Sequence, residues 1–172
     1  TMSGGEPFGQ PAFLVESLEA CRGAGLHTAV DTCGYAPWED IERSLTLVDL
    51  FLFDVKLADA AAHRRYTGVS NVPVVENLGR LVAAGADVRA RVPLVPGITD
   101  TPENLAGVRR LLVSVGGVSG VGLLPYNKLG EDKRRRLGLA TETGLLETQD
   151  ADRLEEIAGL FRTDGFDVTI GG

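Results

Sequence analysis

Asp54 and Lys56 stand two residues apart at the end of the run Val48-Asp49-Leu50-Phe51-Leu52-Phe53-Asp54-Val55. The apolar, β-prone density of this run predicts a strand covered on both faces. Strand side chains alternate in direction, so positions 54 and 56 leave on the same side. Taken alone, such a pair is equally an ordinary ion pair at a strand end. In company with Glu6 and Arg91 it offers acceptors for an ammonium and donors for a carboxylate, which is what an α-amino-acid zwitterion requires. Gly4 and Gly5 let backbone carbonyls come close to a ligand where a side chain would intervene. Thr32 and Asn127 could hydrogen-bond sugar hydroxyls.

These residues form one site only if the chain brings them to one end of a sheet. Thr1 to Pro7 reads as the end of a strand already in progress. A helical pattern follows, with Leu14, Leu18 and Cys21 on one face and Gly25 as its stop; Cys21 is expected as a core thiol. A strand-like run covers Leu26 to Thr32 and closes at Cys33-Gly34, and a short helix starts near Pro37. After the Asp54 strand, helix returns around Val74, Leu78, Leu81 and Val82, stopped by Gly85. Val88 to Val95 alternates apolar residues with Arg89 and Arg91 until Pro96-Gly97 breaks it. Thr101 caps a helix with Pro102 at its first position and Leu105, Val108, Leu112 and Val115 on one stripe. Gly120 to Leu124 is a further strand. An irregular segment, a helix carrying Leu154, Ile157 and Phe161, and a β-like tail at Val168-Thr169-Ile170 complete the chain.

Strand and helix alternating over short connections implies right-handed βαβ units and a parallel sheet. A complete (β/α)8 barrel needs about 250 residues, so 172 residues predict a single α/β domain over 1–172, a partial TIM-like barrel. Ligands in such folds bind at the C-terminal strand ends. The five predicted ends carry Gly4-Gly5-Glu6, Asp31-Thr32-Cys33-Gly34, Asp54-Val55-Lys56, Arg91 and Tyr126-Asn127, all with glycine, charge or amide groups.

A net charge of −7 argues against nucleic acid or an anionic membrane as partner. No apolar run approaches the roughly 18 residues of a membrane span, and no basic-then-apolar signal opens the chain, so a cytoplasmic protein is expected. The basic run Lys133-Arg134-Arg135-Arg136 is either a solvated helix face or a docking patch. His27 opens a strand on the far side, and His63 is expected at the surface or as a cap. The two cysteines, Cys21 and Cys33, are too few for a three- or four-thiolate metal site.

The strings TMSGGEP, HTAVDTCGYAP, VDLFLFDVK, YTGVSN, RVPLVPGITD, LLPYN and VTIGG occur in that order. As a set they resemble the radical S-adenosylmethionine (SAM) enzymes that activate glycyl radical enzymes, the pyruvate formate-lyase activating type. The resemblance implies that Gly4, Gly5 and Glu6 hold the amino group of SAM. It implies that Asp54, Val55 and Lys56 bind the amino-acid end, and that Arg91 joins the same site. The residue after LLPY, usually histidine at the ribose or adenine, is here Asn127. Asp31 and Thr32 match a pair that lines the pocket and, with Asp54, can contribute to a monovalent cation site.

The implied reaction is one-electron reduction of SAM by a [4Fe-4S] cluster, giving a 5′-deoxyadenosyl radical that removes hydrogen from a glycine of a partner such as formate C-acetyltransferase. The electron would come from a donor such as flavodoxin or ferredoxin. The cluster-binding CxxxCxxC segment of that family lies upstream of GGE, so this chain is expected to be a C-terminal portion, inactive by itself. Two other readings stay open: a different radical SAM activity, and a partial barrel that binds SAM or protein without catalysis. The strand Leu26 to Thr32 is expected to present a largely unpaired edge.

Overall fold

A computed structural model of the chain describes residues 1–127 and 146–171. The strands β1 (Ala29–Thr32), β2 (Leu50–Asp54), β3 (Val88–Leu94), β4 (Gly120–Pro125) and β5 (Val168–Ile170) form one sheet in chain order. Every pairing is parallel. Between them run α1 (Pro11–Gly23), α2 (Trp38–Ser44), α3 (Ala60–Thr67), α4 (Val72–Ala83), α5 (Pro102–Val115) and α6 (Ala151–Thr163). The basic run at 133–136 lies outside the described residues.

Helix starts follow from their caps. Asp59, Thr101 and Asp150 accept from the backbone N–H of Ala62, Asn104 and Arg153 respectively, satisfying donors that a first turn leaves open. The predicted helices and the strands from Ala29 onward are present, with a helix over Ala60–Thr67 before the α4 stripe; the strand end expected over Thr1 to Pro7 is reduced to one isolated parallel bridge, Met2 to Val30. β1 is shorter than the expected Leu26–Thr32, and Leu26 is exposed.

Right-handed crossovers between neighbouring strands place successive helices on one face of the sheet. Val30, Phe51, Phe53, Val88, Ala90, Val92, Leu94, Val121 and Leu123 are buried on that face. Leu14, Leu18, Ile41, Leu78, Leu81, Leu105, Val108, Leu112, Ile157 and Phe161 complete the core with them. This corrects the expectation for β2. Its burial alternates, with Phe51 and Phe53 inside and Leu50, Leu52 and Asp54 half-buried on the other face, so among the described residues only one side carries helices. Both sets are apolar until Asp54, which hides the period of two.

Residues in register on parallel strands share a face, so the open side carries Asp31 beside Leu52, Asp54 beside Arg91, and Arg91 beside Gly122. Arg89 lies one layer lower and bonds Asp167 at 2.5 Å and Thr169 at 3.2 Å. The open face is thus polar across β3 and β5. No helix among the described residues is long and apolar enough to cross a membrane.

The outer edge of β1 is better covered than expected. Met2 N–H donates to Ala29 O at 2.7 Å, and Asp31 N–H donates to Met2 O at 2.9 Å. The next outward-facing donor, Cys33 N–H, binds Glu6 Oε2 at 2.8 Å. Three of the groups that an edge would expose are therefore paired by the segment 1–6.

Candidate functional site

The charged residues of the open face in the layer above Arg89 gather around Arg91. Its Nε and Nη2 donate to Asp54 Oδ1 at 3.0 and 2.8 Å, and Nη2 also donates to Asp31 Oδ1. Lys56 Nζ lies 3.4 Å from Asp54 Oδ2, and Ser3 Oγ donates to Asp31 Oδ2 at 2.8 Å. The four charges balance, two carboxylates against two cations. Each side chain is partly shielded: Arg91 is 19% exposed, Asp31 and Asp54 18%, and Lys56 33%. An ammonium has three donors, so one long contact to Asp54 leaves Lys56 able to take a carboxylate.

A second cluster holds the neighbouring loop. Glu6 accepts from Thr32 Oγ1 at 2.7 Å, from Cys33 N at 2.8 Å and from Phe8 N at 3.2 Å. Thr32 Oγ1 in turn accepts from Gly34 N at 2.9 Å. Burial and the hydrogen bond to the Glu6 carboxylate push the Cys33 thiol pKa up. The geometry revises two sequence expectations. Thr32 is 2% exposed and on the helix-bearing face, so its hydroxyl positions Glu6 rather than reaching a sugar. The Glu6 carboxylate is engaged with the protein, which leaves the backbone of Gly4, Gly5 and Glu6 as what this segment can present. Gly4 and Gly5 have φ of +100° and +86°, a region that L side chains rarely adopt, and open space lies where each Cβ would be.

Of the three residues expected around a monovalent cation, Asp31 and Asp54 do meet, but the Arg91 guanidinium is the cation between them. Thr32 turns away. Val55 is buried, with its N–H bonded to Arg91 O at 2.8 Å, so only its carbonyl is left to offer a ligand. Asn127 is exposed just beyond β4, at the same end of the sheet and two strands from Asp54. His63 is buried rather than at the surface, one of the two places expected, and its Nδ1 lies 2.8 Å from Val69 O just past the C-terminal end of α3. His27 is exposed ahead of β1, and Cys21 is half-buried on α1.

The side chains that fix the strand-end loops were not anticipated. Asn77 Nδ2 donates to Gly34 O and Ala36 O, both at 2.9 Å, after β1. Asn71 and Asn104 hold the segment after β2. Thr99 and Gln149 tie down the one after β3 through Pro93 O and Leu94 O. Asn77 had a legible signal: it interrupts the apolar stripe Val74, Leu78, Leu81 on α4, where a polar residue must find buried partners.

No family model matches the chain. Sequence comparison finds 37% identity over 175 residues to the trans-4-hydroxy-L-proline dehydratase activating enzyme of Clostridioides difficile, covering 100% of this chain and 58% of that protein. The isethionate sulfite-lyase activating enzyme of Nitratidesulfovibrio vulgaris is 42% identical over 161 residues, covering 91% of this chain and 52% of the relative. The crystal structure of a domain of pyruvate-formate lyase-activating enzyme from Bacteroides vulgatus superposes with a TM-score of 0.82 at 27% identity, over 99% of this chain and 97% of that one. One sheet with its charges gathered at the strand ends, joined to these likenesses, defines a partial barrel of the radical SAM type. Within that superfamily the chain belongs to the glycyl-radical-enzyme activating enzymes. It spans about half the length of the curated relatives it matches.

Proposed function

We propose that this chain supplies the SAM pocket of a radical SAM oxidoreductase that activates a glycyl radical enzyme. The observation that carries this reading is the Asp31–Arg91–Asp54–Lys56 network on the open face, beside the two positive-φ glycines. Its balanced charges suit a zwitterion. Lys56 and Arg91 take the carboxylate of SAM, while Asp54 and the carbonyls of Gly4 and Gly5 accept from its ammonium. Asn127, just beyond β4 at the same end of the sheet, is assigned to the ribose or adenine. Held by these residues and given one electron within the whole protein, SAM would supply, on cleavage of its S–C5′ bond, the 5′-deoxyadenosyl radical that removes a hydrogen atom from a glycine of the partner protein. That partner is a lyase or dehydratase of the kinds the relatives activate, formate C-acetyltransferase among them, with a flavodoxin or ferredoxin as electron donor to the whole protein.

The residues present do not fit a [4Fe-4S] cluster. Its usual ligands are three or more thiolates, and the chain has two cysteines, one on α1 and one after β1. No group of three or more His, Cys, Asp or Glu suited to a metal occurs among the described residues. By itself the chain therefore acts as a SAM-binding module, and catalysis belongs to a protein that also carries the cluster ligands.

Equilibrium dialysis with labelled SAM tests the pocket. Saturable one-to-one binding is expected, and Lys56→Ala and Asp54→Ala should each weaken it about tenfold or more, as when one member of a shielded charge pair is removed. Binding that neither substitution changes would refute the assignment.

A further inference from the structure

Lys56 is the most exposed member of the charge network, and the backbone that carries it has no regular structure after Asp54. A flexible segment there would let the ammonium wander, yet each of its next peptide groups is held by a side-chain amide. Asn104, in the first turn of α5, is 9% exposed. Its Oδ1 accepts from Ala58 N at 3.0 Å, and its Nδ2 donates to Lys56 O at 3.0 Å and to Thr99 O at 2.8 Å. All three hydrogen-bonding positions facing the protein are thus engaged, and they join the loop after β2 to the loop after β3. Asn71, at the start of α4, donates to Leu57 O at 3.1 Å and Ala58 O at 2.8 Å.

We infer that Asn104 is a positioning residue for Lys56, fixing the 56–58 backbone so that the ammonium stands ready for the carboxylate of SAM. This rests on the SAM-pocket reading above. The amide is required for its mixed character. An aspartate of the same shape keeps the acceptor for Ala58 N–H but replaces both donors with oxygen, facing two carbonyls with a negative charge.

The test compares SAM with 5′-methylthioadenosine, which has the nucleoside but no amino-acid group, by equilibrium dialysis on the full chain. Asn104→Asp should weaken SAM binding about tenfold, the scale of losing buried hydrogen bonds, and leave methylthioadenosine binding unchanged. In a Lys56→Ala background the same substitution should have no further effect on SAM. Asn71→Ser, which relaxes the segment from its other side, should show the same split, and it keeps the test available if Asn104→Asp does not fold. Equal loss of both ligands, or wild-type SAM affinity in both asparagine variants, overturns the inference while leaving the pocket in place. Wild-type SAM affinity in Lys56→Ala would instead show that the pocket itself is misassigned, and the inference would fall with it.

Discussion

Asp54 and Arg91 are register partners on β2 and β3, and the arginine sets both Nε and Nη2 on the single oxygen Oδ1. The other Asp54 oxygen is thereby left to Lys56, and Nη2 has reach remaining for Asp31. One guanidinium thus organises two carboxylates from the two preceding strands, β2 beside it and β1 beyond. A lysine offers a point charge on a flexible stem and cannot span them in this way.

Arg91→Gln should therefore destabilise the protein as well as weaken SAM binding. It leaves Asp31 and Asp54 as neighbouring carboxylates with less compensation, in a partly shielded site. A loss of about 2 kcal/mol is expected at neutral pH, the scale of hydrogen bonds to charged groups, with little recovery in Arg91→Lys. Urea denaturation reads this directly. A denaturation midpoint equal to wild type for both variants would mean that the network is not structurally important.

Glu6 ties the segment 1–6 to the end of β1 over a separation of 26 residues in sequence, through Thr32 and Cys33. Glu6→Gln should loosen this tie by about 1–2 kcal/mol, most visibly as faster amide exchange at Cys33 and Phe8. Amides in β3 should exchange at their original rates. Uniform acceleration across the sheet would indicate global destabilisation and count against a local tie.

Two carboxylates predict acid sensitivity away from the site. Hydrogen bonds from the backbone and hydroxyl of Thr28 hold the Asp49 pKa below its usual value, and those from Arg109 do the same for Asp164. In each case the folded state binds the proton less readily than the unfolded state. Their stabilisation is present above the unfolded carboxylate value, about 3.9, and is lost as pH falls through the lower folded value. Asp49→Asn and Asp164→Asn should therefore lower the urea midpoint at pH 7, and the gap from wild type should close below about pH 4. A gap that persists at pH 3 would mean that the substitutions act through packing.

Much of the fold is legible in the sequence because local signals agree. Thr101-Pro102 marks the start of α5, Gly85 and Gly165 follow helices, and the Arg89–Arg91 alternation gives β3 its two faces. The positions grouped at the strand ends were equally legible, since parallel topology collects them whatever the details. Long-range pairing was not. That Thr32 faces Glu6 and not a ligand depends on which face of β1 carries helices, and the short run Ala29–Thr32 does not reveal it. That β2 has one open face is hidden by Leu50 and Leu52, which are apolar on the side where Asp54 emerges. Asn71 and Asn104 look like ordinary helix-start residues until their carbonyl partners in the segment after β2, 13 to 48 positions away, are known.

Gly34 provides a test of how tightly the site is backed by the core. It follows the Thr32–Cys33 end of β1 with φ at +69°, and a Cβ placed on it would overlap the ring of Phe53. Phe53 is fully buried on β2, directly beneath the strand end that carries Asp54. Gly34→Ala therefore combines a left-handed backbone that costs about 1–2 kcal/mol for an L residue with overpacking of about 1–3 kcal/mol. The steric part has a remedy: Phe53→Leu removes the ring edge that the new methyl would strike. The double variant should then be more stable than the sum of the two single losses predicts, with a favourable coupling of about 1 kcal/mol or more. Additive losses in urea denaturation would show that strain at Gly34 comes from its backbone alone, and that the ring of Phe53 can yield.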